Sequence, residues 1–170
     1  MLKVTDFEVT EPVNIEYDVY TPINIEFGTW NISKEPTLYW RTGNFKKSLI
    51  EIGLGKYTGS IRSITLTLSE DVSMVESLIL ERKNINVIKG KPKFYIEDYS
   101  DMTYVDEKGS LKVLIGIDNV LISLSENVPE SVIQNNNVGF ALDKNKIICG
   151  IMVSDMLKRE KNILEDALKN

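Results

Sequence analysis

The stretch FKKSLIEIGLGKYTGSIRSITLTL (residues 45–68) restricts the fold of this chain more than any other. Ile50, Ile52 and Leu54 share one parity before a glycine turn, and Ile64, Leu66 and Leu68 share one after it. Side chains of a strand alternate between its two faces, so both arms offer aliphatic groups to the same core. The intervening Gly55-Lys56-Tyr57-Thr58-Gly59 suits a short loop closed by a residue with positive φ, which glycine adopts without steric cost. A β-hairpin is predicted here, and with it an antiparallel sheet.

The rest of the chain extends that pattern. PVNIEY (residues 12–17) and PINIEF (residues 22–27) form an approximate repeat. In the first copy Val13, Ile15, Tyr17 and Val19 share one parity, whereas Asn14, Glu16 and Asp18 share the other, so one face buries while the other carries acid. Two copies are too few for a solenoid and read as two strands, with Thr21-Pro22 at the bend. Trp30, Tyr39 and Trp40 are expected to pack at a sheet edge or under a loop. Ser69 offers an N-cap, and Val72, Val75, Leu78 and Ile79 follow at helical spacing, which predicts a short helix; the β-branched residues and the run SLIL keep a strand as its rival. Residues 85–88 and 92–96 read as strands separated by Lys89-Gly90-Lys91. LKVLIGI and VLISLSE make a hairpin about Asp118-Asn119, residues 127–137 read as loop, and VGFALD and KIICGIMV turn at residues 143–145. A terminal helix is predicted with Ser154 as N-cap and Leu157, Ile163, Leu164, Ala167 and Leu168 along one stripe. The expected fold is α+β: one domain over residues 1–170, mostly antiparallel sheet built from hairpins, curved or two-layered, with the C-terminal helix packed on it.

Histidine is absent, which removes Ser-His and Cys-His nucleophile pairs, imidazole acid–base chemistry and histidine metal ligands. An enzyme of this composition would have to work with carboxylates, Lys, Tyr or Ser. The lone Cys149, in the apolar run KIICGIMV, reads as a small buried hydrophobe and cannot form an internal disulfide. No apolar run approaches the roughly 18 residues of a membrane span, and the N-terminus lacks a signal-peptide pattern, so a cytoplasmic location and no membrane contact are expected. GLGKYTG lacks the glycine spacing and following helix of a phosphate loop. Asp98, Asp101 and Asp106 match no EF-hand spacing, and neither a metal nor a cofactor is expected. A basic stripe is missing, which argues against nucleic acid.

Charge is distributed unevenly. Residues 1–30 carry Asp6, Glu8, Glu11, Glu16, Asp18 and Glu26 against Lys3 alone, a net of −5 that equals the charge of the whole chain. A second acidic cluster interleaves Glu97, Asp98, Asp101, Asp106 and Glu107 with Tyr95, Tyr99, Met102 and Tyr104. Both have a plain structural explanation, as a solvated sheet face or acidic edge and as an exposed polar loop. They also suit a basic protein partner, since aromatics supply rigid contact area and carboxylates steer association.

The hairpin at residues 45–68, together with VGFALDKNKIICGIMVSDMLKREKNIL (residues 138–164), resembles the immunity proteins of bacterial polymorphic-toxin systems. The resemblance implies a non-enzymatic binder that neutralises a cognate toxin, and the acidic bias fits a basic target. The candidate contact residues are Glu16, Asp18 and Glu26, or Tyr95, Glu97, Asp98, Tyr99, Asp101, Tyr104 and Asp106. Two rival readings stand beside it. One is a structural or assembly protein pairing as a homo-oligomer through β edges or the Trp30 to Trp40 aromatics. The other is a carboxylate-dependent hydrolase.

Overall fold

The computed structural model describes residues 1–78, 80 and 84–169, apart from the Trp30 side chain. In chain order the strands are β1 (Val4–Glu8), β2 (Val13–Glu16), β3 (Ile23–Phe27), β4 (Thr37–Gly43), β5 (Leu49–Gly55), β6 (Ile61–Leu68), β7 (Val72–Met74), β8 (Asn86–Lys89), β9 (Lys91–Phe94), β10 (Tyr104–Lys108), β11 (Lys112–Ile115), β12 (Val120–Ser123), β13 (Ser131–Asn135), β14 (Val138–Leu142) and β15 (Ile148–Val153), followed by the helix α1 (Lys158–Leu168). They form a six-stranded sheet in the order β10-β4-β5-β6-β3-β2, a seven-stranded sheet in the order β7-β11-β12-β15-β14-β13-β8, and a two-stranded ribbon of β1 and β9. The architecture is α+β, mostly strand, with a single C-terminal helix packed on the sheets among the described residues.

The alternation read in the sequence decides which face each strand buries. Ile50, Ile52 and Leu54 of β5, Ile64 and Leu66 of β6, and Ile23, Ile25 and Phe27 of β3 point into one core. Val113, Ile115, Ile122, Phe140 and Ile151 of the other sheet enter the same core, and Phe27 and Phe140 meet with ring centroids 5.8 Å apart. Two sheets stacked in this way bury the apolar face of both. A second apolar cluster lies on the far side of the seven-stranded sheet, where Leu78 and Leu80 cover Leu121, Val132, Ala141 and Cys149. The ribbon ties the layers together: β1 and β9 pair with each other, Ser60 bridges to Lys93, and Lys3 bridges to Ile147. From α1, Leu164 and Leu168 are buried in the common core.

Several expectations need correction. Residues 72–74 form a strand, not a helix: Asp71 accepts from the Val113 N–H at 2.8 Å, and the Val75 N–H donates to Ile115 at 2.9 Å, so a parallel ladder to β11 recruits them. Ile79 lies outside the described residues. β10 and β13 are strands where loops were expected: β10 joins β4 in parallel from far along the chain, whereas β13 pairs with β14 in a hairpin about Asn136-Asn137, Asn136 taking φ 53°, and with β8 in parallel. The two strands expected on either side of Gly90 are present, β8 joining β13 and β9 joining β1. Val19 is exposed, beyond the end of β2. Trp40 is fully buried rather than at an edge. The helix begins at Lys158, with the Leu157 N–H held by the Glu160 carboxylate at 2.8 Å, because Asp155 takes φ 61° and Met156 is drawn into the core.

Gly59 sits at φ 68°, and a Cβ there would run into the carbonyl of Phe94. Gly59→Ala is therefore expected to cost at least about 2 kcal/mol in urea unfolding, from the left-handed backbone alone and more from the clash. Burial, reinforced by Asp143, pushes the Cys149 thiol up to about 11. Cys149 is expected to resist a thiol reagent at pH 8 in the native state and to react promptly in denaturant.

Candidate functional site

The outward positions of the six-stranded sheet form one solvent-facing surface. Register aligns them in two rows that cross all six strands: Tyr104, Tyr39, Gly53, Ser63, Glu26 and Asn14, and beside them Asp106, Arg41, Glu51, Thr65, Asn24 and Glu16. At a strand spacing of about 4.8 Å the face is about 24 Å wide. Its middle is small and hydroxylated, with the Thr65 hydroxyl donating to Asn24 Oδ1 at 3.1 Å.

The β10 end is aromatic and rigid. Tyr39 and Tyr104 stack with centroids 5.4 Å apart, and the Arg41 guanidinium lies 4.7 Å from the Tyr104 ring centre. Arg41 donates through Nε to Asp106 Oδ1 at 2.7 Å and through Nη2 to Oδ2 at 3.0 Å, a bidentate geometry that fixes both side chains. Glu51 is the next residue in the row. Burial raises its carboxyl above the ordinary 4.5, and Arg41 only partly offsets this.

Of the residues singled out from sequence, Glu16, Glu26, Tyr104 and Asp106 share this face. Asp18 lies just beyond β2 and accepts from the Tyr20 N–H at 2.8 Å. Glu97 and Asp98 lie in a 3-10 turn ahead of β10, exposed like Asp101, and the Tyr95 hydroxyl is 3.4 Å from both. Tyr99 turns inward, packing on the core and donating to Glu107 Oε1 at 3.2 Å, so it acts as a brace. The two acidic groups thus sit at opposite edges of one sheet and do not merge into a single cluster. Tyr39, Arg41 and Glu51 were missed. Their signal was present in TLYWRT, where Tyr39 and Arg41 alternate with the apolar Leu38 and Trp40.

A polar cleft of about 670 Å³ opens beside the ribbon, lined by Glu8, Glu11, Glu35, Ser60, Arg62 and Lys91 among others. Arg62 and Lys91 are both nearly fully buried, at 4% and 6% exposure. Arg62 donates to the Glu35 and Pro36 carbonyls, to Thr37 and Ser33, and to Glu35 Oε2 at 2.8 Å. Lys91 pairs with Glu11 at 3.0 Å and Glu8 at 3.3 Å, and the Ser60 hydroxyl donates to Glu8 at 2.6 Å. Burial alone would raise Glu35 and Glu8. The Tyr57 and Thr58 amides and Arg62 outweigh it at Glu35, as Ser60, Lys91 and Lys93 do at Glu8, and both carboxyls fall below the ordinary 4.5. Carboxylates held ionised in this way lack the split in pKa that an acid–base pair uses. Among the described residues no group of three or more Cys, Asp or Glu is placed to hold a metal ion, and no helix is long and apolar enough to cross a membrane.

No protein-family model matches the chain, and no curated protein matches it significantly.

The ion pairs of the cleft make two predictions. Glu35→Gln removes the carboxylate that pairs with the buried Arg62 guanidinium, and the expected loss at pH 7 is about 3 kcal/mol in urea unfolding. Because Glu8 and Glu35 have depressed folded values, the stability they contribute is complete above the ordinary 4.5 and is lost as pH falls through those lower values. Acid titration of the unfolding free energy is expected to decline below pH 4.5, less steeply in the Glu35→Gln chain.

Proposed function

We propose that this chain is a binding protein of the immunity type, neutralising a toxin domain with a basic surface that docks on the solvent-facing side of the six-stranded sheet. The supporting observation is the pair of cross-strand rows, which bring Glu16, Glu26, Glu51 and Asp106 onto one face with the Tyr39–Tyr104 stack. A face about 24 Å wide is on the scale of a standard protein–protein interface, and pre-ordered tyrosine and arginine are the side chains that anchor such interfaces. The carboxylates at both edges would steer a cationic partner and set its orientation.

The reading requires a multidomain toxin gene beside the one for this chain, and the test is coexpression with that toxin's C-terminal domain, with growth and binding both measured. Tyr104→Ala is expected to weaken binding by about 2 kcal/mol, roughly thirtyfold. The double variant Glu16→Lys/Glu26→Lys is expected to slow association about tenfold, with the difference shrinking at high salt. Unchanged protection and affinity in both variants would refute the assignment of this face.

A further inference from the structure

We propose that the free edge of β2, with the groove beside it, takes an extended, positively charged segment of the partner as an additional strand of the six-stranded sheet. This rests on the reading of the partner as a basic protein and specifies how part of it is held. β2 pairs with β3 and, among the described residues, with no other strand. The Pro12 carbonyl accepts from the Gly28 N–H at 2.8 Å, which makes residues 12 and 28 a hydrogen-bonded pair. Such pairs alternate along an antiparallel ladder, so 14 with 26 and 16 with 24 bond inward. The N–H and C=O groups of Val13 and Ile15 therefore point away from β3, at the spacing an incoming strand requires.

Alongside that edge runs a groove of about 400 Å³, walled by β2 on one side and on the other by Asn137, Ser154, Asp155 and Glu160. Its charged lining is entirely acidic, since Lys158 and Arg159 on the same turn do not line it. Glu16 and Asp18 extend the negative charge along the strand. Glu160 is held in place by its bond to the Leu157 N–H, and Asp155 is fixed in a left-handed backbone. A second copy of this chain on the edge would bring Glu16, Asp18, Asp155 and Glu160 towards their own counterparts. A segment with lysine or arginine at alternate positions meets them with opposite charge while its backbone bonds Val13 and Ile15.

The probe is an N-acetylated peptide of alternating lysine and valine, added to the full ¹⁵N-labelled chain. Its controls are the same peptide N-methylated at alternate residues and a glutamate–valine counterpart. The Val13 and Ile15 amides are expected to exchange rapidly in the free chain and to slow about tenfold with the lysine peptide and with neither control. Three results would overturn the proposal: no slowing with the lysine peptide, equal slowing with either control, or a dimer in the free chain that already protects these amides. Loss of toxin binding in Tyr104→Ala with unprotected Val13 and Ile15 would remove the edge alone. Protected amides with normal binding by Tyr104→Ala would remove the sheet face instead.

Discussion

A buried guanidinium governs one whole end of this molecule. Arg62 lies at a register shift in β6, where Ile61 takes the core place opposite Leu54, and its cation, 4% exposed, cannot be left bare. The chain surrounds it with oxygen atoms from residues 33–37. Glu35, fixed by that pair, also accepts the Tyr57 and Thr58 amides and so holds the turn of the β5–β6 hairpin. The same arrangement recurs a few residues away, where Lys91 draws Glu8 and Glu11 together and anchors the β1–β9 ribbon. The cleft beside the ribbon is thus lined by charges that answer one another.

How much of this was legible follows from the range of the interactions concerned. Hairpins were readable because alternation and turn chemistry are local: β5–β6, β11–β12 and β14–β15 all appear where Gly59, Asp118-Asn119 and Asp143 signalled them. Asp143 itself accepts the Asn145 and Ile147 amides, a turn bond that sequence can anticipate. β7 and β10 were harder because each joins its neighbour in parallel, across a long intervening stretch, and β8 was legible as a strand although its parallel partner was not. Val72–Met74 is too short to declare a period, and Tyr104–Lys108 reads as an acidic loop until β4 is placed beside it.

The candidate surface was legible in its charge and illegible in its geometry. Acidic composition singled out both ends of the face, but nothing local indicated that residues near 16 and 106 belong to one sheet. The middle of the face, with Glu51 and the Arg41–Tyr104 contact, emerges only from the strand order. Arg62 is a parallel case: its charge was visible in the hairpin sequence, but the register shift that sets it beside Glu35 was not.

The parallel pairing of the outer strands also bears on when the surface comes into existence. Adjacent hairpins close small loops and can form early, whereas β10 must return to β4 across 65 residues, the separation of Asp106 and Arg41. The aromatic end of the face is therefore assembled only once the centre of the sheet is in place to receive it. Nascent or partly unfolded chains lack that end, so a partner docking there as proposed would meet only molecules that have finished folding.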